Sequence, residues 1–148
     1  MAKIRITKEF VFDAAHNLPR YDGKCRNIHG HTYKLLVTLI GVPIADEHSP
    51  KCGMVLDFSD LKQVIKEVVI DRFDHALIVP AGENVECLRQ FQQEGKLVEV
   101  PFQPTCENLT LHIAEMLSEQ MPENVELYSV RLYETPTSYS EWVVTDNQ

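Results

Sequence analysis

Two segments near the N-terminus alternate between apolar and polar residues, which is the pattern of a half-buried β-strand. Residues 3–16 place their apolar side chains at even positions, and residues 29–41 place theirs at odd positions. The alternation predicts two long strands joined by a polar loop that contains Pro19 and Gly23. An antiparallel return of the chain would bring the end of the first strand opposite the start of the second.

The middle of the chain changes to a helical period. The prolines, glycine and charged residues of 42–54 predict an exposed loop. After this loop, Asp57 is placed to cap a helix that ends near Arg72. The apolar residues that share one face of this helix are Leu61, Val64, Ile65 and Val68. A short amphipathic helix is predicted over 84–94, and a short extended segment over 97–101.

A further helix follows Thr105, whose hydroxyl suits the N-cap position, with Glu107 in the first turn, where a carboxylate complements the helix dipole. His112 lies off the core face of this helix and is interpreted as an exposed or half-buried residue. The predicted core face consists of Leu109, Ile113, Met116 and Leu117. Two final strands are predicted at 126–135 and 138–146.

Glu134 is an acidic residue on an otherwise apolar strand face, with the same parity as Tyr128, Val130 and Leu132. A buried carboxylate needs a partner, because burial without one is costly. Two interpretations stay open from the pattern alone. Glu134 either pairs with an arginine or a backbone turn, or it recognises a ligand that carries adjacent N–H donors.

The order of these elements is strand, strand, helix, short helix, helix, strand, strand. Hairpins at both ends with helices between them predict an α+β fold, a four-stranded antiparallel sheet with helices packed on one face. The length of 148 residues suits a single domain over 1–148. An open sheet leaves two edges, which association with other subunits would cover.

The composition argues against two classes of partner. A formal net charge of −8 does not supply the basic face that a nucleic-acid binder needs. No apolar run approaches the length that spans a membrane, and the N-terminus lacks the features of a signal peptide. The four cysteines are scattered without a paired motif, so we expect reduced thiols and a cytoplasmic protein.

The candidate chemistry begins with three histidines on the first two strands. His29 and His31 are two residues apart, so both imidazoles leave the same strand face, and His16 would lie opposite them after an antiparallel return. Three neutral imidazoles with one open position form the ligand set of a catalytic zinc site. The glycine between the two strand histidines would let a ligand approach the backbone closely.

Cys25 and the pair Asp74-His75 are further candidates. Cys25 lies between Lys24 and Arg26, a setting that favours the reactive thiolate, so we interpret it as a catalytic base rather than a fourth metal ligand or a small buried residue. Asp74 and His75 follow the first helix in a turn. Spacing alone leaves a catalytic pair and a surface turn equally open.

Several of these residues together resemble a known family, the 6-pyruvoyltetrahydropterin synthases, and within it the 6-carboxytetrahydropterin synthase branch of queuosine and deazapurine biosynthesis. The three-residue gap between Cys25 and His29 is similar to that branch, because the pyruvoyl branch usually has a longer gap. The motifs that carry the resemblance are Phe-Asp-Ala-Ala-His16, Cys25 before His29-Gly-His31, Met54-Val-Leu-Asp57-Phe58, Asp74-His75, Pro104-Thr-Cys-Glu-Asn108 and Glu134-Thr135.

The resemblance implies roles for these residues. His16, His29 and His31 would bind zinc, Cys25 would be the general base and His75 its proton-relay partner, oriented by Asp74. Glu134 would grip the amino-pyrimidinone edge of a pterin and take part in the relay, with Thr105 and Glu107 near the same pocket.

The resemblance also implies the fold, the assembly and the reaction. The fold would be the tunnelling fold, assembled as a homohexamer of two stacked trimers with sites at subunit boundaries. The reaction would convert 7,8-dihydroneopterin triphosphate to 6-carboxytetrahydropterin, acetaldehyde and triphosphate. The alternatives are a 6-pyruvoyltetrahydropterin synthase, which would not cleave the side chain, and a non-catalytic zinc-binding assembly protein.

Overall fold

The structure is a computed structural model, and it describes residues 1–23, 27–82, 88, 93 and 95–148. We number its strands and helices in chain order. The strands are β1 (Ile4–His16), β2 (His29–Gly41), β3 (Ala76–Pro80), β4 (Lys96–Val100), β5 (Val125–Thr135) and β6 (Ser138–Val143). The helices are α1 (Phe58–Ile65), α2 (Asp71–Phe73) and α3 (Cys106–Ser118), with a π-helical segment (Lys66–Ile70) between α1 and α2 and a 3-10 turn (Val144–Asn147) after β6.

The strands form one six-stranded sheet in the order β4-β3-β1-β2-β5-β6. The β1–β2, β2–β5 and β5–β6 pairs are antiparallel, whereas β1–β3 and β3–β4 are parallel. The α+β class is therefore confirmed, but the prediction of four antiparallel strands is wrong. The apolar run Ala76–Pro80 was not predicted as a strand, and the extended segment predicted at 97–101 is the edge strand β4.

The alternating patterns of β1 and β2 are confirmed, since these strands pair antiparallel from Ile4 opposite Gly41 to His16 opposite His29. Even positions of β1 and odd positions of β2 face the helices, and the opposite face of β1 carries exposed residues such as Glu9 and Val11. The fully buried side chains of the core include Tyr33, Leu35, Leu39, Leu61, Ile65, Phe73, Ile78, Leu109, Ile113, Leu117 and Leu132. The helices thus cover one sheet face.

The first predicted helix exists but changes its winding. The Asp57 side chain accepts a hydrogen bond from the Ser59 amide at 2.8 Å, which confirms the predicted N-cap, and the helical run ends at Phe73. The π-helical segment places one extra residue in a turn and so shifts the helix phase. As a result Val69 is fully buried in place of the predicted Val68, which is only partly buried.

The third predicted helix begins at its predicted cap, because the Thr105 hydroxyl accepts a hydrogen bond from the Asn108 amide at 3.1 Å. Leu109, Ile113 and Leu117 form its buried face, while Met116 is only partly buried. The helix predicted over 84–94 lies largely outside the described residues. Leu88 and Gln93, which are described, are helical.

The C-terminal strands differ from the prediction in one respect that matters for Glu134. A bulge lies where Thr38 pairs with Ser129 and Leu39 pairs with Leu127, so Tyr128 has no partner in the ladder. Leu127 is buried in place of Tyr128, whose ring instead stacks on Arg5. Beyond the bulge, Val130 and Leu132 are buried, and Glu134 continues that face as predicted. In the described part of the chain no helix is long and apolar enough to span a membrane.

Candidate metal and catalytic site

The three predicted metal ligands meet at the end of β1 and the start of β2. The strand register sets His16 directly opposite His29, and His31 follows two residues later on the same face. The Nε2 atoms of His16 and His29 lie 3.1 Å apart, and one ring nitrogen from each of the three residues lies within 4.8 Å of the others. His16 is almost completely buried, with 1% exposure.

Hydrogen bonds on the far side of two rings fix which nitrogen is free. The Nδ1 of His16 lies 2.7 Å from the Pro104 carbonyl, and the Nδ1 of His29 lies 2.7 Å from the Asn27 carbonyl. Because a carbonyl only accepts, each Nδ1 carries the proton and each Nε2 presents a lone pair. Two lone pairs facing each other at 3.1 Å repel, so the arrangement favours a cation between them.

His31 completes the same pattern from the other side. Its Nε2 atom is buried and has no hydrogen-bond partner among the described residues. Burial lowers the pKa of His31 and of His16, against the opposing effect of the Glu134 carboxylate. A lowered pKa keeps an imidazole neutral, which is the form that binds metal.

The donor set fits zinc. Zinc binds imidazole nitrogens at about 2.0–2.1 Å, so two nitrogens of a tetrahedral site lie about 3.4 Å apart, close to the separation between His16 and His29. Three imidazoles leave a fourth position for a ligand. The cluster is therefore a candidate metal site whose buried lone pairs need a cation.

Glu134 lies beside this cluster. Its Oε1 atom is 3.8 Å from the Nε2 of His31, and its side chain is 24% exposed. Burial, reinforced by the Glu134 carboxylate, raises the pKa of Tyr33, whose hydroxyl lies 3.4 Å from the Nδ1 of His16. The carboxylate thus faces the metal cluster, and its only ion-pair contact among the described residues is with His31.

The three predicted substrate-binding residues, Thr105, Glu107 and Glu134, line one cavity of about 260 Å3. The lining is completed by Leu18, Tyr21, Cys106, Ser138, Tyr139 and Ser140. Sequence reasoning missed Tyr139, although its place in the hairpin that follows Glu134 could have indicated it. Glu134 also lines a second cavity of about 610 Å3, together with His31 and Lys34.

Asp74 and His75 do form a pair. The Nδ1 of His75 lies 3.0 Å from an Asp74 carboxylate oxygen, which also accepts a hydrogen bond from the Asp13 amide at 3.0 Å. Because a carboxylate attracts a proton to the nearer nitrogen, this contact favours the tautomer with the proton on Nδ1, which leaves Nε2 free to take one. The His75 side chain is 78% exposed, and His75 and His31 both line one open cavity of about 410 Å3.

The backbone of His75 is held in an uncommon conformation. With φ of 61° it is the only described non-glycine residue at positive φ, a conformation that costs about 1–2 kcal/mol for an ordinary side chain. Its amide donates to the Asp13 carbonyl at 2.6 Å. Such strain is found most often where a side chain must be aimed for function. Sequence analysis included Asp13 in the Phe-Asp-Ala-Ala-His16 motif but assigned it no role.

Comparison with known proteins identifies the family of the chain. The sequence model of the family described as "6-pyruvoyl tetrahydropterin synthase" matches residues 5–143. The chain belongs to this family. The resemblance stated from the motifs is therefore confirmed.

Members of the 6-pyruvoyl tetrahydropterin synthase family resemble the chain in sequence and in structure. A Haemophilus influenzae protein named 6-carboxy-5,6,7,8-tetrahydropterin synthase is 42% identical over 93% of this chain and 97% of its own length. The solved structure of the Caenorhabditis elegans 6-pyruvoyl tetrahydropterin synthase is similar with a TM-score of 0.68 and 28% identity, covering 97% of this chain and 96% of that chain. An uncharacterized Wolinella succinogenes protein shares the fold, with a TM-score of 0.76 and 23% identity over 97% of this chain and 99% of that chain.

One predicted member of the site is not among the described residues. Cys25 lies outside the described residues, so its role as base stays a prediction. Among the other predicted residues the structure forms two groups. The larger group comprises the histidine cluster and the cavity with Thr105, Glu107 and Glu134, and the smaller is the Asp74–His75 pair in the turn before β3.

Proposed function

We propose that the protein is a zinc-dependent 6-carboxy-5,6,7,8-tetrahydropterin synthase, which converts 7,8-dihydroneopterin triphosphate to 6-carboxytetrahydropterin, acetaldehyde and triphosphate. The observation that carries the proposal is the 3.8 Å approach of Glu134 to His31. It places a carboxylate suited to a pterin beside a metal ligand, so one substrate can reach both. The relative that is 42% identical and bears this name supports the choice of branch.

His16, His29 and His31 would hold the zinc ion, which as a Lewis acid would polarise side-chain oxygens of the substrate and acidify neighbouring C–H and O–H groups. The buried His16 ring keeps its orientation through its bond to Pro104, and His29 keeps its own through Asn27. These bonds set the donor nitrogens before any ligand arrives.

The carboxylates of the 260 Å3 cavity would bind the pterin ring. A pterin presents two neighbouring N–H donors, which a carboxylate accepts side by side. Glu107 and Glu134 both line this cavity, and Glu134 would accept the two donors of the amino-pyrimidinone edge and so fix the orientation of the ring relative to the metal cluster. Thr105 lines the same cavity but already serves as the cap of α3.

Cys25 and His75 would move the protons. Cys25 would act as the base, since a thiol near a dication and between two cationic residues has its pKa brought towards neutrality. His75, held through Nδ1 by Asp74, has Nε2 free to take up a proton from one group and to pass it to another. We propose that Asp74 orients His75 and does not itself touch the substrate.

We also propose a cytoplasmic homohexamer of two stacked trimers, each subunit being one tunnelling-fold domain over 1–148. Strands β4 and β6 end the sheet and leave two edges that can pair with other copies. The large exposure of His75 supports sites at subunit boundaries, because a relay residue needs a neighbour to exclude water from it.

Incubation of the purified protein with 7,8-dihydroneopterin triphosphate tests the proposal. We expect acetaldehyde and 6-carboxytetrahydropterin in equal amounts, and loss of both in His31→Ala. His48→Ala is the matched control, because His48 is an exposed loop residue. Triphosphate release without acetaldehyde would indicate the pyruvoyl reaction instead. Stoichiometric zinc without any turnover would indicate a non-catalytic assembly protein.

A further inference from the structure

Lys96 reaches from the edge strand β4 to the turn that presents His75. Its ammonium group donates to the Asp71 carbonyl at 2.6 Å and to the Asp74 carbonyl at 3.0 Å. Lys96 pairs with Ala76 in the parallel β3–β4 ladder, which brings it beside this turn. A lysine on an edge strand commonly serves only to keep the edge solvated. Here its ammonium group instead donates hydrogen bonds to two backbone oxygens.

The Asp74 carbonyl belongs to the peptide group that joins Asp74 to His75, and both polar atoms of that group are held. The oxygen accepts from Lys96, and the nitrogen, which is the His75 amide, donates to the Asp13 carbonyl at 2.6 Å. The orientation of this peptide group relative to residue 75 is the φ angle of His75, which is 61°. The two bonds therefore hold the one unfavourable backbone angle of the turn.

We infer that Lys96 is a positioning residue for His75. Without the Lys96 bond the peptide group would be anchored at its nitrogen alone, and His75 could relax towards the common region of negative φ. That rotation would carry the imidazole away from the Asp74 carboxylate, which the Asp13 amide holds separately. His75 would then populate both tautomers, and its imidazole would no longer keep one orientation.

The inference rests on the proposed function in one respect, since it assumes that His75 carries a proton in the reaction. The pairing of Lys96 with the turn does not depend on that assumption. The experiment therefore needs one measurement on the imidazole itself and one on turnover.

Lys96→Met is the test variant, and Lys66→Met is its matched control. Lys66 binds the Asp71 carboxylate at 2.9 and 3.2 Å, so its replacement removes a positive charge near the same helix end without touching the two carbonyls. Lys96→Gln, which keeps one hydrogen-bond donor, is measured alongside, so that a folding failure of the methionine variant still leaves a variant to compare.

The first measurement is the imidazole 15N spectrum of the zinc-loaded protein at alkaline pH, with the His75 signal assigned from its absence in His75→Gln. Wild type and Lys66→Met should show one tautomer, protonated at Nδ1. Lys96→Met should show a mixture of tautomers, and Lys96→Gln a smaller change in the same direction. A single unchanged tautomer in Lys96→Met, or equal mixtures in both methionine variants, would overturn the inference.

The second measurement is steady-state turnover at matched zinc content. We expect kcat of Lys96→Met to fall about tenfold while KM stays within about twofold, because a misaimed proton carrier slows chemistry more than binding. Lys96→Arg, whose forked donors can reach two carbonyls, should recover most of the loss. A tenfold rise in KM with an unchanged kcat would contradict the inference. If neither the wild type nor any variant makes acetaldehyde, the proposed function is wrong. The imidazole spectrum then tests the role of Lys96 by itself.

Discussion

Replacement of Glu134 by glutamine tests the link between the pterin cavity and the metal cluster. The change keeps the size of the side chain but removes the negative charge and replaces one acceptor oxygen with an N–H donor. A pterin edge that donates two hydrogen bonds would then meet one acceptor and one donor. Glu134→Gln should therefore weaken pterin binding while zinc content stays unchanged.

The position of Glu134 in the structure sets the size of this effect. Hydrogen bonds to a charged group contribute about 1.5–3 kcal/mol, which corresponds to roughly 10- to 150-fold in Kd. The Glu134 side chain is 24% exposed, so water can partly replace the lost interaction. The lower part of the range is therefore expected, about 10- to 30-fold. Turnover should fall further than binding, because the family resemblance also gives Glu134 a place in the proton relay.

The assay is calorimetric titration of a pterin product analogue into the zinc-loaded protein, with metal analysis of every sample. Glu126→Gln is the matched control, because Glu126 is an exposed residue at the other end of the same strand. Glu107→Gln tests the second carboxylate of the cavity. Unchanged affinity in Glu134→Gln would remove Glu134 from the pterin site, and a loss larger in Glu107→Gln would assign the ring to Glu107. Loss of zinc from Glu134→Gln would mean that the carboxylate supports the metal cluster instead.

Three further predictions concern the metal cluster and its base. His29→Ala and His31→Ala should each lose most of the bound zinc, as measured by plasma emission, while His48→Ala retains it; full zinc in either cluster variant would refute the ligand assignment. Cys25→Ala should keep its zinc and lose turnover, whereas loss of zinc would make the thiol a ligand. In the metal-free protein, burial lowers the pKa of His16 and His31 below the value of about 6.5 that they have when unfolded. The unfolded chain then binds more protons, so the free energy of unfolding, from urea titrations, should be highest above pH 6.5 and fall below it; a rise on acidification would contradict the pKa directions.

The histidine cluster could be predicted because every step that forms it is local. The period of two puts His29 and His31 on one face, and the parity of β1 puts His16 on the facing side once the strands return antiparallel. The caps at Asp57 and Thr105 could be predicted for the same reason, because an N-cap involves only the next few residues. Glu134 lies on its predicted face because the alternation of Val130 and Leu132 continues to it beyond the bulge at Tyr128, although the β5–β6 ladder is irregular between Tyr133 and Thr135.

The other half of the site could not be predicted, because it depends on contacts between distant segments. Strand β3 pairs in parallel with only three residues of β1, and β4 pairs in parallel with β3. Parallel strands are not joined by a hairpin turn, so no turn motif in the sequence indicates either pairing. A five-residue apolar run is also compatible with several structures. Spacing alone therefore left Asp74-His75 as a turn of undecided function, only the family resemblance assigned the pair a catalytic role, and no pattern indicated Lys96. The π-helical segment is a similar case, because no residue type marks an extra residue in a turn.

Strand β1 connects the two halves, because two residues near its end, Asp13 and His16, serve different parts of the site. His16 points towards the helices and joins the metal cluster, while the backbone of Asp13 holds the His75 amide and the Asp74 carboxylate through its carbonyl and its amide. Displacement of β1 by one residue would turn His16 to the wrong face. Displacement by two residues would restore the face but would separate His16 from His29 and Asp13 from His75 at the same time. The metal ligands and the proton carrier therefore keep their relative positions in only one register of β1. The side chains of Phe12 and Ala14, which are buried in the core, help to fix that register.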